Sequence, residues 1–354
     1  MNTELDHKDV RKVQFTGRST YVLSLPKKWI EEMSLKAGDR VTLIRELDNS
    51  LSIIPIFTGT KEPPNEVTAF ISPSESGDSL KRKVVSIYLA GYNIVNLKIK
   101  SGRMNPALRT AVRDLVRRNL VGTEMVADAS DNITLQVLMS LPELSVNTAI
   151  RRMYLIASSM HKDAMSSLAE LNHELAKEVI RSDDEVDRFS LYIFRSLVMA
   201  TQNGRVLREM GLKNPSDCLS YRVAVKSIER IADHAYSIAD KAILREDKIP
   251  KESFQKIEKM SHLALTVLND SVEALLRRDY QLADKTVDSA KNIRTLEDDV
   301  LKTIEKDKVR DPANVKLVLE DIRRTAEYAS DIAEAAINET IDEVTEKHSV
   351  NRRR

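Results

Sequence analysis

The chain has 354 residues, 42% hydrophobic and 31% charged, with 9 glycines, 10 prolines and one cysteine. Scarce glycine and proline favour long helices over turn-rich sheet, the lone Cys218 excludes an internal disulfide, and no apolar run approaches the roughly 18 residues of a spanning helix. The net charge of +1 conceals a basic front and an acidic back: from Leu80 to Leu120 ten lysines and arginines meet one acid, Asp114, whereas from Val121 onward 35 basic residues face 41 acidic ones.

Residues 8–56 form the first expected domain. Val13, Phe15, Tyr21, Leu23 and Leu25 recur at period two, which predicts short strands. Pro26 ends them, and Lys27–Met33 reads as one or two helical turns. Gly38 marks a turn, and Val41–Leu47 and Leu51–Pro55 read as a hairpin joined through Asp48-Asn49-Ser50. About 50 residues bury too little surface to stand alone, so a homodimer or higher oligomer is expected. The stretch 57–66, with Gly59, Pro63 and Pro64, reads as a linker. Residues 66–142 then read as a small α/β segment: strand Glu66–Ser72, helix Ser79–Tyr92, strand Ile94–Lys100, helix Pro106–Asn119, and strands Val121–Ala127 and Ile133–Met139.

From Ser145 the pattern is helical and it repeats. Shifted by 107 positions, Met153 falls on Met260, Asp163 on Asp270 and Leu168 on Leu275. After a longer loop in the first copy the shift becomes 94, and Ser227–Asp240 overlies Asp321–Glu334 with six of fourteen positions identical. Matching sites in three successive helices predict two copies of a three-helix unit, 145–245 and 252–341, with antiparallel packing. The fold class is therefore multidomain and mainly α.

In the first copy, Val179, Ile180, Val186, Ile193, Phe194 and Leu197 form the apolar stripe of the second helix, and Asp183 and Asp187 fall at stripe angles. A carboxylate there needs a compensating cation. Glu229 and Asp233, one turn apart on the third helix, make a second acidic pair. Two such pairs on adjacent helices suit a hard cation bound through oxygen; an ion-pair network with Arg188, Arg222 or Arg230 is the alternative.

These helices resemble the PhoU family of phosphate-signalling regulators, most closely through Glu229-Arg230-Ile231-Ala232-Asp233-His234-Ala235. The resemblance covers about 145–341 and implies a divalent or ferric ion (Fe, Mn, Zn or Mg) on Asp183, Asp187, Glu229 and Asp233. The second copy departs from the pattern: Ala290, Arg294 and Arg323 stand in place of three of the acids, and only Glu327 remains.

The N-terminal stretch resembles the SpoVT/AbrB swapped-hairpin DNA-binding family. The match runs from Gly17-Arg18-Ser19-Thr20 through Pro26-Lys27-Lys28-Trp29 to Leu35-x-x-Gly38-Asp39-x-Val41. It implies an intertwined dimeric β-barrel that presents basic residues to DNA. Between Val10 and Ile30 there is no acid, and Arg11, Lys12, Arg18, Lys27 and Lys28, with Ser19, are the candidate DNA contacts. A dimerisation module with a solvated basic face is the other reading, and related antitoxins use this fold to hold a partner protein.

Arg109, Arg113 and Arg117 recur at spacing four on the helix Pro106–Asn119, as an extension of a DNA footprint or as a solvated face. No phosphate-cradling glycine loop, His-x-x-x-His or nucleophile elbow occurs. With Glu4, Asp6 and Asp9 ahead of any apolar stretch, the start is unlike a secretory signal, and a cytoplasmic location without membrane insertion is expected. The expected function is a non-enzymatic, phosphate-responsive transcriptional regulator with DNA as partner. The rival is an adaptor that docks on a phosphate transporter or sensor kinase.

Overall fold

The computed structural model describes residues 9–17, 19–45, 50–55, 65–72, 74–139 and 145–345. The chain divides into two compact units, Met1–Pro63 and Pro64–Arg354.

The first unit consists of two antiparallel hairpins and a short helix. Strands β1 (Gln14–Thr16) and β2 (Thr20–Val22) pair through Phe15 and Tyr21, with Gly17 at a positive φ of 65° where the chain reverses. Helix α1 (Lys27–Glu32) starts directly after Pro26, and β3 (Val41–Arg45) pairs with β4 (Leu51–Pro55). Among the described residues the hairpins do not close a barrel within one chain, and no side chain of this unit is buried. Tyr21 is 72% exposed, Leu43 65% and Leu51 68%. Alternation has made the strands, but nothing among the described residues of this unit covers their apolar face.

The second unit begins with a four-stranded sheet. Its strands are β5 (Glu66–Ile71), β6 (Ile94–Ile99), β7 (Thr123–Asp128) and β8 (Asn132–Val137), in the order β5-β6-β8-β7. Only β5 and β6 are parallel, joined by helix α2 (Gly77–Leu89). Helix α3 (Pro106–Asn119) follows β6, capped by Asn105 with proline in its first turn, where the missing N–H costs nothing. Leu80, Val84 and Tyr88 of α2 and Leu108, Val112 and Leu115 of α3 share one core with Val95, Leu97, Ile133 and Leu135 of the strands.

The remaining chain is a helical bundle with one continuous core. The first copy comprises α4 (Val146–Glu170), α5 (His173–Gln202), the short α6 (Gly204–Glu209) and α7 (Asp217–Ile243). The second comprises α8 (Lys251–Arg277), α9 (Tyr280–Ala290), α10 (Ile293–Lys306) and α11 (Pro312–Val344). The second helix of the second copy is thus broken at Lys291-Asn292, whereas α5 runs through the equivalent point. Serine and asparagine around the break are weak helix formers.

Helix α5 is the hub. Ser190, Tyr192, Ile193, Phe194, Arg195, Ser196 and Leu197 are all buried, all round the helix. The cause is double coverage: α4 and α7 pack on it, and so do α2 and α3 of the α/β segment. Arg195 fastens the junction. Its guanidinium donates to the Tyr88 carbonyl, to the Gly91 carbonyl at 3.0 Å and to Asn93 Oδ1 at 2.8 Å, and it lies over the Tyr88 ring. Burial holds its pKa below the usual arginine value, and three acceptors compensate.

Candidate functional site

The acidic pairs of the first copy do meet. Helices α5 and α7 pack side by side, and Asp183, Asp187, Glu229 and Asp233 lie within reach of one another's fields. Burial, followed by the negative charges of Asp187, Asp233, Asp184 and Glu229, pushes the Asp183 carboxyl up to about 7. Burial, then Glu229, Asp233 and Asp184, pushes Asp187 up to about 6. Asp233 is raised as well, by burial and then by Glu229. Lys226, which pairs with Glu229, offsets them in part, and the Arg230 charge acts on Asp233 from farther off.

The arginines expected to neutralise the cluster are elsewhere. Arg188 pairs with Glu185 at 3.7 Å. Arg222 lies over the Phe194 ring, and Arg230 over Tyr328. None of the three forms an ion pair with the four acids among the described residues. As they stand, no three His, Cys, Asp or Glu side chains among the described residues are gathered closely enough to hold a metal ion. Mutual repulsion acts over several ångström, whereas ligation requires oxygens at about 2–2.6 Å from one point. The cluster is therefore a concentration of half-buried negative charge rather than an assembled coordination shell.

The second copy solves the same problem internally. Arg323 stands at the place of Glu229 and pairs with Glu327 at 2.7 Å and with Glu297 at 3.2 Å. Arg294, at the place of Asp187, reaches Glu327 at 3.6 Å. Each acid there has a guanidinium beside it.

The two copies meet in a polar seam that the sequence did not reveal. His234 Nδ1 lies 2.8 Å from Asp321 Oδ1, and Lys241 donates to Asp321 Oδ2 at 3.0 Å. Nearby, His161 is fully buried with Nε2 2.9 Å from the Ser261 hydroxyl, and burial pushes its pKa down to about 4. His234, partly exposed on α7, is thus an inter-repeat contact.

In the first unit the candidate DNA contacts are exposed, and Arg18 lies outside the described residues. Ser19 is in the β1–β2 turn, and Lys12 and Lys28 have no ion-pair partner among the described residues. Arg11 bonds Asp9 at 2.6 Å, and Lys27 stands 3.5 Å from Glu31, so the acid-free run is partly neutralised from just outside it. In the α/β segment Arg109 and Arg113 both pair with Asp128, at 2.6 and 3.1 Å, so the arginine stripe is largely an intrasegment ion-pair system. No helix among the described residues is long and apolar enough to cross a membrane.

Comparison with known proteins matches this architecture. The PhoU domain family matches residues 150–242 and 257–336, and the family of the antidote-toxin recognition protein MazE, a bacterial antitoxin, matches residues 14–58. A phosphate-specific transport system accessory protein PhoU homolog of Aquifex aeolicus is 28% identical over 158 residues, 43% of this chain and 67% of the relative. The PhoU homolog 1 of Thermotoga maritima is 25% identical over 203 residues, 53% of this chain and 82% of the relative. The crystal structure of PhoU from Pseudomonas aeruginosa superposes with a TM-score of 0.49 at 20% identity, covering 56% of this chain and 96% of that one. Residues 150–242 and 257–336 are PhoU domains and residues 14–58 a MazE/AbrB-type domain, so this chain joins the two families in one polypeptide.

Proposed function

We propose that this chain is a non-enzymatic, phosphate-responsive transcriptional regulator. Its N-terminal domain binds DNA as a dimer through Arg11, Lys12, Arg18, Ser19, Lys27 and Lys28, and its PhoU domains carry the response. The observation that supports this reading is the exposed state of the first unit. With no buried side chain among its described residues and Tyr21, Leu43 and Leu51 in solvent, this unit lacks a core of its own there, and a second copy is the natural cover. Two copies related by a twofold present two basic faces, as operator half-sites require. Mapping of bound DNA across the genome at high and low phosphate tests the reading; discrete sites whose occupancy changes with phosphate are expected.

The names of the relatives favour a second reading, since both are accessory proteins of a phosphate-specific transport system. On that reading the PhoU domains dock on a phosphate transporter or sensor kinase and the first domain only dimerises the chain. Equal affinity for all genomic fragments at physiological salt, with the transporter co-purifying, would select it.

The acidic cluster belongs to either reading as a cation site. Asp183, Asp187, Glu229 and Asp233 supply only oxygens, which suits a hard divalent or ferric ion. The two repeats contrast: the second carries guanidinium groups at two of the four positions where the first carries carboxylates, and Lys226, with Arg230 acting on Asp233, only partly offsets the charge of the first. An ion bound after modest side-chain rotation supplies the missing charge. Elemental analysis of untagged protein exposed to iron, manganese, zinc and magnesium should give at least one equivalent per chain. Asp183→Asn with Asp233→Asn should abolish it.

A further inference from the structure

The α/β segment and the bundle meet at an open cleft of about 350 Å³ along their seam. Val121 and Met139 form its wall on the α/β side, and Arg152 of α4 with Glu185, Arg188, Phe189 and Tyr192 of α5 forms the other. Gly122 shapes the wall: it holds a positive φ of 66°, and a Cβ there would collide with Met139. The volume lies at the lower end of the range for sites that hold small organic molecules.

The lining is chemically specific. Four apolar or aromatic side chains make a surface for a flat ring, and two guanidinium groups stand beside it. Arg152 has no ion-pair partner among the described residues. Among the described residues Arg188 pairs with Glu185 alone, at a long 3.7 Å and with the Glu185 side chain exposed, an arrangement that contributes little. A guanidinium binds a carboxylate or phosphate through two parallel hydrogen bonds and also stacks on a ring. Glu185 lies on the same wall as the competitor that any incoming anion must displace from Arg188.

We propose that this cavity is a binding site for a small ring-bearing organic anion, a phosphate or carboxylate attached to an aromatic body. The ring packs against Phe189, Tyr192 and Met139, and Arg152 and Arg188 take the anion. The site is separate from the acidic cluster, since Glu185, Arg188, Phe189 and Tyr192 point away from Asp183 and Asp187 on a helix of 3.6 residues per turn. It stands whichever function is correct.

Fluorescence titration of the full chain with 1-anilinonaphthalene-8-sulfonate, itself a ring-bearing anion, tests the site. A saturable component is expected that Arg152→Gln and Arg188→Gln each weaken at least about fivefold and that the pair abolishes. Glu185→Gln should strengthen it, because the competing carboxylate is gone; a merely loosened structure would weaken it. Arg152 and Glu185 are exposed and Arg188 half-buried, so thermal midpoints should change little and confirm that the variants fold. Phenyl phosphate should displace the dye at least about tenfold more effectively than inorganic phosphate. Dye binding indifferent to both arginines, weakened binding by Glu185→Gln, or equal displacement by inorganic phosphate would each overturn the proposal.

Discussion

Asp183 and His161 give the protein two opposed responses to pH. The Asp183 carboxyl is raised to about 7, so between its unfolded value and that pH the folded state holds the extra proton. Stability from this group is full at low pH and is lost as pH rises through the folded value. In metal-free protein, Asp183→Asn should therefore stabilise at pH 8, by about 2 kcal/mol after allowance for solvent screening. A chemical denaturation series from pH 5 to 8 checks this; no gain at pH 8 would show that the repulsion is already relieved. His161 acts the other way. Its pKa is lowered to about 4, so the unfolded state binds the proton first as pH falls. The neutral, buried imidazole contributes full stability above its unfolded value near 6.5, and this is lost between there and 4. The loss should reach about 3 kcal/mol. An Asp183→Asn/Asp187→Asn background removes the strongest opposing titrations, and there His161→Leu should remove the loss.

At the scale of the element, Arg195 and α5 carry the argument. Replacing Arg195 with methionine strands the carbonyls of Tyr88 and Gly91 and the Asn93 amide, at a cost of about 3–5 kcal/mol. Hydrogen exchange should quicken in α2 and β6 while α8 and α11 stay protected. Equal loss of protection throughout would mean that Arg195 supports the whole unit rather than the junction. The elements themselves were legible in the sequence. Period-two alternation located the strands of the first unit, and shifts of 107 and 94 residues found the repeat. Asp183 and Asp187 stood out because they interrupt an apolar stripe. The partners of the charges were not legible. Arg222 and Arg230 were plausible neutralisers by spacing, yet they stack on Phe194 and Tyr328, which come from other turns and another repeat. Arg109 and Arg113 look like a free basic stripe until β7 brings Asp128 beneath them. Arg195 was hidden in plain view: a charge inside the run Ile193-Phe194-Arg195-Ser196-Leu197 signals a helix buried on every side, but only the fold shows what buries it.

For the whole molecule, the first unit sets the assembly. The full chain should be at least a dimer by light scattering, and removal of residues 1–63 should lower the order of assembly without unfolding the bundle, since that unit has cores of its own. If the unit also binds DNA, affinity should fall with salt at a log–log slope of about 0.9 per phosphate contact. Lys12→Ala and Lys28→Ala should each reduce the slope by about one. These two are better probes than Arg11 and Lys27, whose charges Asp9 and Glu31 already offset. An unchanged slope in both variants would place the DNA-binding face elsewhere.

The clamp on α5 has a mechanical consequence. Arg195 and the double coverage fix the C-terminal part of a 30-residue helix, while its central turns carry the acids on one side and the wall of the cavity on the other. A rod gripped toward one end cannot roll freely under load at its middle; it bends. A cation drawing Asp183 and Asp187 toward α7 would therefore swing Glu185 and Arg188 away from Val121 and Met139. Charge on one face of the helix would be read as width on the other.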